Sequence, residues 1–196
     1  TGASSGIGKE IATYLSNYVR HIYICSRNVK NLEKVSDQIV KNKCECTIVP
    51  LNLSDDNGIE NLAKQIFNKD GSLDILILSA GMINQLSPVD AIELEKLKEV
   101  LNLNYISNFR MIKNFHPLLK NSDDSNIAVI SSLNDESKGY YWGIYQPIMT
   151  ALNDLIITYA NENKKTNIKT NIFCPKAVNT ELRTIIMPGE DKNKIS

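Results

Sequence analysis

The stretch Thr1-Gly2-Ala3-Ser4-Ser5-Gly6-Ile7-Gly8 decides how this chain is read. Its three glycines stand at the head of a helical pattern in which Ile7, Ile11 and Leu15 recur. Glycines there permit a tight turn, a close backbone approach to pyrophosphate, and a helix lying near a sheet. The helix start then offers unpaired N–H groups and the positive end of its dipole to an anion. The spacing Gly-x3-Gly-x-Gly differs from the general dinucleotide fingerprint, Gly-x-Gly-x-x-Gly. A nucleotide-triphosphatase loop is the nearest rival, because of Gly8-Lys9. It fails on Ala3, at that motif's first glycine, and on Glu10, where a magnesium-binding Ser or Thr is needed. A glycine-rich turn with no ligand is the remaining alternative, and the residues downstream weigh against it.

Outward from this turn, strand and helix patterns alternate. Strands are predicted at 21–25, 44–49, 73–79, 127–131 and 168–174. Helices are predicted at 6–17, 29–41, 55–68 (with Ser54 as N-cap), 94–119 and 144–163. Short apolar strands separated by helices predict a parallel sheet covered on both faces. The fold class is therefore α/β, a doubly wound, three-layer Rossmann sheet, and the length predicts one domain over 1–196. The chain starts inside the phosphate turn, without the strand that should hold it, and its polar end at 191–196 looks unfinished. A longer protein is expected, with the first strand and the C-terminal end lying outside this stretch.

Lys plus Arg and Asp plus Glu each number 22, so no basic footprint for nucleic acid or anionic membrane exists. No apolar run approaches the roughly 18–20 residues that span a bilayer. The four cysteines (Cys25, Cys44, Cys46, Cys174) have no ligand spacing and read as reduced thiols of a cytoplasmic protein. His21 and His116 lack companions at catalytic or metal spacing and read as structural.

Beyond the turn come Leu78-Ser79-Ala80-Gly81, Asn104, Ser131-Ser132, Tyr145 and Pro175 through Thr180. In this order and spacing, over essentially the whole chain, they resemble the short-chain dehydrogenase/reductase family. The pair Ser132 and Tyr145, 13 residues apart, is the most specific element. Residues 141–145 and 187–191 resemble a bacterial subgroup. The resemblance implies a cofactor-binding set of Gly2, Ser4, Ser5, Gly6, Ile7, Ser26, Arg27, Asn52, Leu53, Ser79, Ala80, Gly81, Tyr145, Pro175, Val178 and Thr180. It also implies that Ser132 polarises a substrate carbonyl, Tyr145 moves the hydroxyl proton, and Asn104 orders a water in the proton relay. Residues 140–142 either line a substrate pocket or pack at an element junction.

Two departures matter. The family carries a lysine four residues after the tyrosine, and here that position is Met149. The i, i+4 spacing puts Met149 on the correct helix face, but a thioether cannot favour a phenolate as an ammonium does. The family's Pro-Gly reads Pro175-Lys176, so Lys176 either points to solvent or supplies a relocated ammonium. The cofactor choice turns on Ser26-Arg27, where an NAD-type site carries an acid. A carboxylate would repel a 2′-phosphate. Serine can hydrogen-bond it and arginine can pair with it, which favours NADP(H) over NAD(H).

The expected activity is NADP-dependent reduction of a small-molecule carbonyl, or oxidation of a secondary alcohol, weakened by Met149. The alternative is a dinucleotide-binding pseudoenzyme with a regulatory or structural role. No metal, nucleic-acid or membrane partner is expected. The resemblance further implies a homodimer or homotetramer, with Leu97, Leu101, Phe109, Ile112, Ile148, Leu152 and Leu155 as candidate contacts, some of which must face the sheet instead.

Overall fold

The computed structural model describes residues 1–132 and 139–191; most of the polar end, 192–196, lies outside the described residues. The elements run α1 (Gly6–Leu15), β1 (His21–Ser26), α2 (Val29–Lys41), β2 (Glu45–Pro50), α3 (Asp56–Asp70) and β3 (Ile75–Leu78). They continue as α4 (Leu94–Leu101), α5 (Ser107–Lys120), β4 (Ser125–Ile130), α6 (Tyr145–Glu162), β5 (Ile168–Phe173) and α7 (Glu181–Ile186). The chain divides into two units, Thr1–Asn52 with Ala177–Ser196, and Leu53–Lys176.

In the first unit β1 and β2 pair in parallel, from His21 opposite Glu45 to Ser26 opposite Pro50. Parallel neighbours need a crossover, and α2 supplies it. Asn28 caps α2 by accepting the Asn31 N–H, and the helix ends where Lys43 takes a left-handed φ of 63°. Leu32, Val35 and Ile39 fall at helical spacing and are each at most 1% exposed, packed with Ala3, Ala12 and Ile24. Burying the three side chains contributes roughly 5–9 kcal/mol before entropy, at about 1.5–3 kcal/mol each. His21 Nε2 lies 2.8 Å from the Thr47 hydroxyl on the neighbouring strand, which accounts for this histidine structurally.

In the second unit the strand order is β3-β4-β5, all parallel. Alternate residues are fully buried along β4, with Ile127 and Val129 at 0% exposure, while their neighbours are half-buried. The sequence pattern had implied more nearly continuous burial. α3 packs on α5, and α6 on β5 and α4. His116 of α5 hydrogen-bonds the Tyr159 hydroxyl of α6 at 2.8 Å, edge to face, so the second histidine is structural as well.

Four local expectations are corrected. α3 is capped by Asp55, whose carboxylate accepts the Asn57 N–H, rather than by Ser54. The strand expected at 73–79 is only Ile75–Leu78. The helix expected over 94–119 is interrupted by a π-helical turn, Asn102–Ile106, between α4 and α5. α7, unpredicted, is a six-residue helix capped by Thr180, which accepts the Arg183 N–H at 3.2 Å.

Candidate functional site

In the first unit the glycine-rich turn hangs from β1, because Ala3 N–H donates to the Cys25 carbonyl. Gly2 and Gly6 both hold positive φ, 67° and 53°. A Cβ on Gly8 would lie 2.5 Å from the Gly2 carbonyl oxygen, so α1 can run this close to the turn only with glycine there. Ser5, the N-cap of α1, is extended and makes no side-chain cap hydrogen bond. The first N–H groups of α1 are thus left to an outside acceptor. A cavity of about 570 Å³ opens here, lined by Ser4, Ser5, Gly6 and Ile7 with Val178 and Thr180. Thr180 packs on Gly6: its methyl carbon would be 3.3 Å from a Cβ at that position. Lys9 and Lys34 bring positive charge to the cavity wall, beside Glu10 and Glu181.

Ser26 ends β1, and its hydroxyl is 2.8 Å from that of Ser4 in the turn. It also accepts the Asn28 N–H at 3.3 Å. Arg27 is exposed next to this pair. The corner therefore presents two hydroxyls and a guanidinium. Asn52 closes this unit, exposed.

The second unit carries Leu53, Ser79, Ala80, Gly81, Asn104, Ser132, Tyr145 and Pro175. Asn104 sits in the π-turn, 2% exposed. Its Oδ1 accepts the Met82 N–H and its Nδ2 donates to the Met82 carbonyl, both at 2.8 Å. The side-chain amide thus pairs with the backbone one residue beyond Ser79-Ala80-Gly81. Nδ2 also points at the Met149 sulfur, 3.7 Å away, and Met149 is 4% exposed. The Asn104 carbonyl in turn accepts from Asn108 Nδ2 at 2.6 Å. Met149 therefore meets Asn104 as a sulfur acceptor rather than as a cation.

Tyr145 opens α6, its ring 5.9 Å from that of Trp142. Burial, and then the nearby Cys174 thiol, push its phenol pKa above the ordinary value. Lys176 is exposed. Tyr141 holds a left-handed φ of 80°, and a Cβ on Gly143, two residues on, would come within 2.8 Å of Val89. Ser131 and Ser132 leave β4 under the hold of Asn153 on α6. Asn108 and Asn153 were not singled out in the sequence. Each lies four residues beyond a marked position, Asn104 or Met149, and that spacing was the available signal.

Among the described residues there is no group of three or more His, Cys, Asp or Glu that could hold a metal, and no helix long and apolar enough to cross a membrane. Of the candidate interface residues, Ile112, Ile148 and Leu152 are buried within their own unit, whereas Phe109 is 46% exposed.

A family model described as short chain dehydrogenase matches residues 1–191. Over 137 residues the chain is 31% identical to the mouse dehydrogenase/reductase SDR family member 7, an alignment covering 68% of the chain and 40% of that protein. It is 25% identical to the uncharacterized oxidoreductase YciK of Escherichia coli K12, across 100% of the chain and 78% of that protein. A solved structure from Pseudomonas syringae, described as a short-chain dehydrogenase, superposes with a TM-score of 0.94 at 28% identity, covering 99% of the chain and 80% of its own. That likeness shows the Rossmann α/β fold expected from the sequence.

Proposed function

Because the chain belongs to the short-chain dehydrogenase family, we propose that it is an NADP-dependent oxidoreductase that reduces a small-molecule carbonyl, with the reverse oxidation strongly handicapped. The observation that carries this reading is the pairing of a half-buried Tyr145, its phenol pKa raised, with a buried thioether at Met149 on the same helix face. A tyrosine titrates ordinarily near 10, so a raised value keeps Tyr145 protonated at neutral pH. A protonated phenol can donate to a developing alkoxide, which serves reduction. Oxidation needs the phenolate, and Met149 does nothing to stabilise it.

The residues fit a phosphorylated dinucleotide. The uncapped start of α1 suits the pyrophosphate, with Gly2, Ser4, Ser5, Gly6 and Ile7 around it and Val178 and Thr180 on the opposite wall. Ser4, Ser26 and Arg27 suit the 2′-phosphate, and Asn52 and Leu53 the adenine. Ser79, Ala80 and Gly81 suit the adjacent ribose, while Tyr145 and Pro175 belong to the nicotinamide end. When bound, the cofactor supplies or accepts the hydride. Ser132 polarises the carbonyl and Tyr145 holds the proton. Asn104, engaged at its amide and its carbonyl, holds the loop after Gly81 in place.

A second reading is favoured by the same Met149–Asn104 contact: a dinucleotide-binding protein without turnover. The deciding experiment is NADPH consumption with a panel of small ketones and quinones. Slow but measurable reduction supports the enzyme; binding of NADPH with no turnover supports the alternative. The protein is further proposed to work in the cytoplasm as a homodimer or homotetramer through α5 and α6, where Phe109 and Ile157 are exposed.

A further inference from the structure

Asn153 stands on α6 eight residues after Tyr145 and four after Met149. Its Oδ1 accepts the Ser131 hydroxyl at 2.6 Å, and its Nδ2 donates to the Ser132 carbonyl at 3.0 Å. One amide thus grips two successive residues where the chain leaves β4. Ser131 is only 6% exposed and its N–H makes the last strand-like bond to Phe173, at 2.8 Å. The β4–β5 register ends one residue earlier, at Ile130 opposite Phe173. Past this point the ladder no longer fixes the backbone.

We infer that Asn153 is a positioning residue: its amide ties Ser132 to α6, the helix that Tyr145 heads, and so sets where the serine stands relative to the tyrosine. The inference rests on the reading of Ser132 and Tyr145 as the reacting pair. The two halves of the amide make different bonds, and the Nδ2 bond is the one that reaches Ser132. The oxygen must take a buried hydroxyl proton, and the nitrogen must give a proton to a carbonyl. A carboxylate at 153 would keep the first bond and turn an oxygen against the Ser132 carbonyl. An aliphatic side chain would leave the Ser131 hydroxyl without its partner. Reacting groups have to be held to about 0.5 Å, and misplacement by about 1 Å can lower turnover about 100-fold.

The test is Asn153→Asp, with Asn153→Ala as the variant that buries no charge and Ser131→Ala as the control that keeps the bond to the Ser132 carbonyl. Each is crystallised and assayed for ketone reduction with NADPH. In the Asn153 variants Ser132 is expected to move by about 0.5 Å or more relative to Tyr145. Turnover is expected to fall about 10–100-fold, with KM and NADPH affinity within about twofold. Ser131→Ala should keep turnover within about threefold, since Nδ2 still holds Ser132. A folded Asn153 variant with Ser132 in place and turnover unchanged, differing only in melting temperature, overturns the inference. If the unsubstituted protein reduces nothing, the oxidoreductase reading fails by itself, and the displacement of Ser132 alone then judges Asn153.

Discussion

Replacing Met149 by lysine would place a single cation four residues beyond Tyr145, on the same face of α6. Methionine and lysine are both long and unbranched, so the new side chain follows the same course from α6. An ammonium about 5 Å from the phenol oxygen, at an effective dielectric of about 20, favours the phenolate by about 3 kcal/mol. That lowers the Tyr145 pKa from a starting point that burial has raised. The phenolate fraction at neutral pH then rises about 100-fold, and alcohol oxidation should rise by up to the same factor. Carbonyl reduction, which already has its acid, should gain less, about tenfold, through better orientation. The change has a cost. Asn104 Nδ2 loses its sulfur acceptor and meets another donor, and a charge enters a site only 4% exposed. A loss of about 1–3 kcal/mol of stability is expected. Initial rates in both directions between pH 6 and 11, with NADPH affinity and melting temperature measured beside them, read all these effects. A folded, cofactor-binding variant whose oxidation profile does not move would refute the reasoning. So would a gain that survives Tyr145→Phe in the same background.

Arg27→Ala should weaken NADPH about 10–100-fold and leave NADH nearly unchanged, while Ser26→Asp should reverse the preference; titration calorimetry checks both, and equal affinities in the unsubstituted protein would refute the assignment. Gly8→Ala would force a methyl group to 2.5 Å from the Gly2 carbonyl, so dinucleotide binding should be lost and stability should fall by about 1–3 kcal/mol, read by titration and thermal melting. Tyr159 is pushed up to about 12, by burial first and then by Glu162. Its folded value lies above an unfolded value near 10, so its contribution to stability is complete below about pH 10 and is lost as pH rises towards about 12. Tyr159→Phe should flatten that part of the alkaline unfolding curve followed by circular dichroism.

The sequence made α2 legible because Leu32, Val35 and Ile39 mark one buried face between an asparagine cap and a positive-φ stop. At α3 it misled, since Ser54 and Asp55 are adjacent oxygen-bearing residues and only backbone geometry selects between them. α7 escaped notice because six residues are too few to show a period, and what fixes the segment is an ion pair that reaches past the helix end. There Arg183 meets Glu190 through two bonds of 2.6 and 2.8 Å, which also raises the arginine's pKa and lowers the glutamate's. Within the candidate site, Ser132, Tyr145 and Asn104 stood out because their chemistry and spacing form a pattern. Asn108 and Asn153 did not, because an asparagine that serves backbone carbonyls leaves no trace in hydropathy or charge. The role of Met149 was half legible: the missing cation could be read from its position, but not the sulfur contact with Asn104.

The π-turn at Asn102–Ile106 also sets the phase of everything that follows it. A π-turn is an α-helix with one residue too many, and each residue advances a helix by about 100°. Val100 in α4 and Met111, Ile112 and Phe115 in α5 are all buried, although they lie on either side of that extra step. Deleting any single residue of 102–106 would restore an ordinary helix and swing α5 by about a quarter of a turn against α4. Such a deletion would draw the α5 core residues out of their packing while every side chain in α5 remained the same. Alignments and designs that cross this segment have to keep its count of residues before they keep its residues.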